Sequence, residues 1–175
     1  VDRIVGDGPW PGSRTRLVDT TNLGKYFFEV VDVATKKVIY SRGFASIYSE
    51  WETTDAAKDR PATFHESLRF PWPKQKVQVA LRKRDKNNAF QPVWSIDIDP
   101  ISRFVNPAEL RPVGKLFTIF ENGVAAEKVD LLVIGEGYTD VELTKFQHDS
   151  NRLLARLCDT EPFKRRKRDF NVRAL

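Results

Sequence analysis

The chain has 175 residues, of which 41% are hydrophobic and 30% are charged, a composition typical of a globular protein that can bury a core. Its apolar runs, such as residues 131–134, are too short to cross a bilayer, and no segment has the pattern of a signal peptide. The single cysteine, Cys158, excludes an internal disulfide and a zinc site built on several cysteines. Because the first residue is valine, we expect a processed or excised piece of a longer product.

The net charge of +5 equals the charge of the five consecutive cations at residues 164–168. Such a run can bind nucleic acid, or it can lie at a helix end where cations face the exposed carbonyl groups. We favour the helix end, because no set of stacking aromatic side chains accompanies the run. The sequence therefore predicts no nucleic-acid partner.

The first part of the chain, to about residue 107, has the alternation of β-strands. Residues 26–33 and 36–40 predict a hairpin across a short turn. Alternating apolar positions predict two further strands joined by the turn at residues 85–88, and these positions are Val77, Val79, Leu81, Trp94, Ile96 and Ile98. We assign Trp94 to the core and expect an antiparallel β-sandwich over residues 1–110.

Residues 111–175 have a different pattern. Strands are predicted at 115–120 and 128–134, with Asn122-Gly123 as a tight turn between them. Thr139 and Glu142 predict a capping box that starts a helix, and a strand follows at 170–175. The run at 131–134 does not alternate, which is typical of a strand covered on both faces. We expect a βαβ unit at the start of a larger α/β domain that has been cut short.

Several segments resemble the IgA-peptidase type of zinc metallopeptidases. The strings YSRGFASIYSEW at residues 40–51 and TFHESLRFP at 63–71 are similar to its N-terminal domain. The string DLLVIGEGYT at 130–139 is similar to the opening of its catalytic domain, and the order and spacing extend over nearly the whole chain. The resemblance implies a secreted or cell-surface peptidase with a protein or peptide substrate. Residues 1–110 would be its accessory domain, and residues 111–175 the beginning of its peptidase domain.

The family takes its zinc through a helical HExxH motif downstream of these segments, in which the glutamate activates the attacking water. The chain has two histidines, His65 and His148. His65 is followed by Glu66, but Arg69 stands where the second histidine is required, and arginine cannot bind zinc. We therefore expect zinc in the full-length enzyme, no metal or other cofactor ligand here, and an inactive chain that serves as an accessory, substrate-positioning part.

The loop that follows the buried strand is the candidate site-adjacent segment, with Gly135, Glu136, Gly137, Tyr138 and Asp140 as its residues. Ligand sites of open α/β sheets gather at the carboxyl ends of strands, where glycines allow a close backbone approach. The alternative is purely structural. The glycines form the turn, Tyr138 packs against Leu143, and Thr139 caps the helix. A phosphate loop is not favoured, because the third glycine and the lysine of such loops are missing.

Trp10 and Trp72 are each bracketed by prolines and are candidate binding platforms. They support a rival interpretation, a non-catalytic β-sandwich module that binds a glycan or a protein. Packing between loops and sheet is the alternative for both side chains. Oligomeric state is left open by the sequence.

Overall fold

The computed structural model describes residue 1, residues 3–108 and residues 114–175. The described residues form two compact units, the first of residues up to 10 and 14–108, the second of residues 11–13 and 114–175. The predicted boundary at residues 110 and 111 lies outside the described residues and stays a prediction. Within the described ranges, no helix is long and apolar enough to cross a membrane.

The first unit is built on an antiparallel sheet of four strands in the order β3-β2-β4-β5, beside a short parallel pair of β1 and β6. Its strands are β1 (Ile4–Val5), β2 (Tyr26–Asp32), β3 (Val38–Phe44), β4 (Val77–Arg84), β5 (Phe90–Ile98) and β6 (Val105–Asn106). Two short helices, α1 (Ile47–Trp51) and α2 (Ala56–Asp59), follow β3.

Turn chemistry explains both hairpins of this sheet. The Asp32 carboxylate accepts hydrogen bonds from the Thr35 amide at 2.7 Å and hydroxyl at 2.9 Å, which closes the turn between β2 and β3. The Asp85 carboxylate accepts from the Asn87 and Ala89 amides and closes the turn between β4 and β5. The two predicted hairpins are therefore confirmed.

The core of the first unit lies on one face of the sheet and consists of Phe28, Val30, Tyr40, Val77, Val79, Ile98 and Val105. The alternation in β4 placed Val77 and Val79 correctly. The assignment of Trp94 to the core is wrong, since 38% of this residue is exposed. Trp94 lies on the edge strand β5, opposite Leu81, where the β4–β5 register shifts, and an edge position leaves its ring open to solvent.

The mixed fold class is confirmed, an antiparallel sheet followed by a short α/β segment. Two details of the first unit differ from the prediction. Residues 47–59 contain two helices that the sequence did not indicate. Residues 64–70 form neither a helix nor a strand. Leu68 and Phe70 still pack on the core, because an irregular segment can place alternate side chains inward. The predicted sandwich requires a second full sheet. Besides the four-stranded sheet, the described residues of this unit form only the parallel pair of β1 and β6, each two residues long.

The second unit has a three-stranded sheet in the order β7-β9-β8. Its elements are β7 (Phe117–Phe120), β8 (Val129–Val133), α3 (Leu143–Cys158), α4 (Phe163–Arg166) and β9 (Phe170–Ala174), with 3-10 turns at Ala125–Glu127, Asp140–Glu142 and Lys167–Asp169. The central strand β9 runs parallel to β8 and antiparallel to β7. The expected βαβ unit is therefore present as β8–α3–β9.

The predicted tight hairpin at Asn122-Gly123 is wrong, because β9 lies between β7 and β8. The Asn122 side chain donates to the backbone carbonyls of Lys167 and Phe170 at 3.1 and 2.7 Å. Its backbone amide donates to the Asn171 side-chain oxygen at 2.8 Å. The Asn171 side-chain nitrogen donates to the Gly123 carbonyl and to the Asp130 carboxylate, each at 2.9 Å. This segment therefore attaches to β9 instead of folding β7 back onto β8.

Helix α3 buries one face, and that face is Phe146, Ser150, Leu154 and Cys158 at intervals of four residues. Leu153 lies outside this face and is exposed. The run at 131–134 is covered on one face only in this unit. Leu132 is exposed, and 70% of Ile134 is exposed.

We predict that Asn171→Ala destabilises the second unit by roughly 2–4 kcal/mol, because it removes the three hydrogen bonds that this buried side chain makes with Asn122, Gly123 and Asp130. Asn171 is 1% exposed. All four tryptophans lie in the first unit, so tryptophan fluorescence does not report on the second unit. Native-state hydrogen exchange of the β9 amides is therefore the suitable measurement. Asn151→Ala on the exposed side of α3 is the control. Equal protection of β9 in both variants contradicts the prediction.

Candidate functional site

The loop of residues 135–140 begins at the carboxyl end of β8. The Gly135 amide donates to the Leu175 carbonyl, and the Leu175 amide donates to the Val133 carbonyl, both at 2.9 Å. These bonds continue the parallel pairing of β8 and β9 to the first residue of the loop. The loop therefore leaves the sheet at the edge where open α/β sheets collect ligand sites.

The two glycines of the loop, Gly135 and Gly137, are required for different physical reasons. A Cβ atom at Gly135 would lie 3.2 Å from the Phe146 ring, so glycine lets this ring pack directly on the backbone. Gly137 has a φ of 78°, and a Cβ atom there would have no neighbour within 4 Å. Gly137 is thus required by backbone conformation, whereas Gly135 is required by packing.

The predicted capping box is confirmed at Thr139 and Glu142. One Glu142 carboxylate oxygen accepts from the Thr139 amide at 3.0 Å and from its hydroxyl at 2.8 Å. These bonds, the amide bond first, lower the pKa of Glu142. The α-helix itself begins at Leu143, after the 3-10 turn of Asp140–Glu142. The capping box therefore precedes the 3-10 turn. The α-helix, which the sequence placed directly after the cap, begins one turn later.

Tyr138 joins the loop to the side of α3. The sequence paired Tyr138 with Leu143, and in the structure its ring packs on Phe146 with the ring centroids 5.0 Å apart. Its hydroxyl donates to the Asp149 carboxylate at 3.1 Å. The Lys145 ammonium lies 4.7 Å from the centroid of the tyrosine ring. Tyr138 is therefore held by an aromatic, a cationic and an anionic partner on a single helix.

Asp149 is the residue at this site that sequence reasoning missed. Its carboxylate accepts from Lys145 at 2.9 Å and from Arg152 at 3.4 Å, besides Tyr138. The bond from Lys145, followed by that from Tyr138, lowers the pKa of Asp149 to about 2. The spacing to Lys145 and Arg152 is that of ion pairs within a helix and could have revealed those two contacts. Nothing in the sequence pairs Asp149 with a tyrosine eleven residues earlier.

Glu136 and Asp140 are the open carboxylates of the loop. Both are exposed, and among the described residues neither has a hydrogen-bond or ion-pair partner. The Tyr138 hydroxyl, in contrast, donates a hydrogen bond to the ionised Asp149 carboxylate. Its oxygen can still accept a hydrogen bond from another group. The loop therefore presents two free anions beside a fixed phenol oxygen.

The two histidines do not form a metal site. His65 is exposed on the irregular segment of the first unit. His148 lies on α3 in the second unit, its side chain 78% exposed and its ring nitrogen 4.0 Å from Asp149. In the described ranges, no group of three or more histidine, cysteine, aspartate or glutamate side chains is placed to hold a metal ion. A catalytic zinc takes three protein ligands, so these residues do not fit a zinc centre.

Trp10 and Trp72 differ in exposure. The Trp10 ring packs edge-on against Tyr40, with the centroids 5.5 Å apart, and is partly buried against the core. Trp72 is 47% exposed and lines a cleft of about 390 Å³ in the first unit. Of the two candidate platforms, Trp72 alone presents much of its surface.

Comparison with known families gives two matches along the chain. The model of the Peptidase M64 N-terminus matches residues 1–95, and the model of IgA Peptidase M64 matches residues 117–175. The chain belongs to the M64 peptidase family. This membership confirms the resemblance read from the sequence and implies a protein or peptide substrate. No curated protein matches the chain.

The ionised Asp149 gives a pH-dependent prediction for this M64 segment. Its folded pKa of about 2 lies below the ordinary value of 3.8, so its contribution to stability is fully present above pH 3.8 and declines as the pH falls through about 2. We expect Asp149→Asn to be less stable than wild type above pH 4, with a difference that shrinks towards pH 2. Hydrogen exchange of the α3 amides across this range measures it. A difference that does not change with pH contradicts the assignment.

Proposed function

We propose that this chain is the N-terminal portion of a secreted or cell-surface zinc metallopeptidase. The first unit acts as an accessory domain that positions a protein substrate, and the second unit is the first part of the catalytic domain. The observation that carries the proposal is the order of the two family matches, N-terminal region first and peptidase region second.

A zinc ion in the intact enzyme would supply Lewis-acid chemistry and would activate a water molecule for peptide hydrolysis. The described residues supply no ligand set for it. We therefore assign the zinc ligands to another segment of the intact enzyme. We assign neither proton transfer nor metal binding to His65 or His148.

We propose that the loop of residues 135–140 borders the active site of the intact peptidase. Its place at the carboxyl end of a parallel strand, just before a capped helix turn, supports this. Glu136 and Asp140 are free to accept hydrogen bonds from peptide amides. Tyr138 acts as a positioning residue, because its contacts with Phe146 and Asp149 fix the direction in which the loop leaves β8.

Our first functional prediction is that the 175-residue chain alone does not hydrolyse peptide bonds, since the part of it that the structure describes holds no zinc ligand set. The purified chain is incubated with casein and with immunoglobulin in the presence of added zinc. Cleavage that a chelator abolishes, with one zinc bound per chain, contradicts the proposal.

Our second functional prediction concerns the loop of residues 135–140 and is measured in the intact peptidase. Glu136→Gln removes an anion but keeps the side-chain size, and Tyr138→Phe removes only the hydroxyl group. If the loop borders the active site, we expect Glu136→Gln to lower kcat/KM by roughly tenfold or more at unchanged thermal stability. Tyr138→Phe should lower both stability and turnover, because it removes the hydrogen bond that joins the loop to Asp149.

Glu127→Gln, at an exposed glutamate in the 3-10 turn before β8, is the matched control. Activity of Glu136→Gln equal to that of this control makes the loop a scaffold and removes it from the proposed site.

A further inference from the structure

A cleft of about 390 Å³ opens at one end of the four-stranded sheet in the first unit. The segment of residues 71–75 forms one wall, and the ends of β2, β3 and β4 form the other. Its apolar lining includes Leu17, Ile39, Tyr40, Pro71 and Trp72. The cleft has the volume of a small-ligand or side-chain pocket.

The walls of the cleft are fixed rather than loose. Pro71 and Pro73 restrict the backbone on both sides of Trp72. The Trp72 ring lies over the backbone at Gly6, where a Cβ atom would approach it to 3.3 Å. Tyr40 is buried and is braced edge-on by Trp10. Trp72 and Ile39 nevertheless remain substantially exposed, so the cleft presents a preformed apolar surface to solvent.

The polar groups at the base of the cleft are already engaged with each other. One Asp32 oxygen accepts from Thr35, and the other accepts from the Gln75 side-chain amide. These bonds, with that from Gln75 the strongest, lower the pKa of Asp32. A sugar ring needs several free hydrogen-bonding groups around an aromatic platform, and this cleft offers few. An apolar side chain of a peptide fits the surface better.

Lysines outnumber carboxylates at the rim of the cleft. Lys74 lines the cleft, as does the Asp32 carboxylate. Lys36 and Lys37 follow β2, and Lys76 directly precedes β4, so these three lysines lie at the same end of the sheet. Two backbone hydrogen bonds fix this arrangement. The Asp32 amide donates to the Lys37 carbonyl at 2.9 Å, and the Val33 amide donates to the Lys76 carbonyl at 3.2 Å. Lys76 pairs with Asp97 at 3.3 Å. For the other three lysines, the described residues provide no ion-pair partner. The rim therefore attracts an anionic partner.

We propose that this cleft binds an acidic peptide segment, with one apolar side chain against Trp72 and flanking carboxylates on the lysine rim. It would serve as a substrate-recognition site of the first unit. The proposal rests on the proposed function only for the source of the peptide, a protein substrate. It also selects protein over glycan as the partner of the first unit.

The test measures binding to the 175-residue chain by fluorescence anisotropy. The probe is a labelled eight-residue peptide with a central Leu-Phe pair between two runs of three glutamates. We expect saturable binding that weakens as salt is raised. The double variant Lys37→Glu, Lys74→Glu and the single variant Trp72→Ala should each weaken binding by about tenfold or more. Lys86→Glu, in the turn at the opposite end of β4, and Trp94→Ala are the matched controls and should bind as wild type does.

Two further probes distinguish the alternatives, a peptide with lysines in place of the glutamates and an oligosaccharide rich in uronic acid. Equal binding of the acidic and basic peptides, wild-type affinity of the double variant, or preference for the oligosaccharide overturns the proposal. The lysine variants keep the test decisive if Trp72→Ala disturbs folding. Because no turnover is measured, failure here leaves the proposed peptidase function standing, and an inactive intact enzyme leaves this binding result standing.

Discussion

The second unit depends on one buried side chain, Asn171. Its amide group joins the segment at Asn122 and Gly123, the strand β8 through Asp130, and its own strand β9. A buried amide is stable only when its donors and acceptors are satisfied, and here two other segments satisfy it with three hydrogen bonds. This arrangement places β9 in the middle of the sheet. The central β9 is what makes β8 a parallel strand whose carboxyl end carries the loop of residues 135–140.

A second set of contacts then fixes how the loop leaves the sheet. The Phe146 ring occupies the space that a side chain at Gly135 would fill, and Tyr138 lies between that ring and the Asp149 carboxylate. Loop and helix are therefore one packed element. The two carboxylates of the loop that are free of contacts, Glu136 and Asp140, are held next to this element and face solvent. A rigid support beneath free polar groups is what positioning of a substrate requires.

The sequence predicted most local structure, because local rules decide it. The turns at Asp32 and Asp85, the alternation in β4 and the Thr139–Glu142 cap all follow from neighbours within a few residues. The errors come from long-range packing. Asn122-Gly123 has the pattern of a hairpin turn, but its partners lie in β9, about 48 residues away. Trp94 has the alternation of a core residue, and its exposure depends on which strand lies at the edge of the sheet.

The same distinction holds for the candidate sites. The glycines and the cap of the loop were visible in the sequence, whereas the bond from Tyr138 to Asp149 was not, since it needs the fold of the loop onto α3. Trp10 and Trp72 have the same proline brackets, yet Trp10 packs on Tyr40 while Trp72 lines a cleft. Local sequence gives the residue types of a site, and packing decides which of them face solvent.

The chain thus combines a first unit that carries a lysine-rimmed apolar cleft with a second unit that matches the IgA Peptidase M64 model and carries a supported loop. We propose that this loop borders the active site of the intact M64 peptidase, where its zinc would bind. The most direct measurement labels the tyrosines of that enzyme with fluorine and compares the fluorine spectra of its zinc and cobalt(II) forms. Tyr138→Phe assigns the resonance. If the loop borders the active site, paramagnetic cobalt broadens the Tyr138 resonance strongly, and a resonance identical in both forms would contradict this placement.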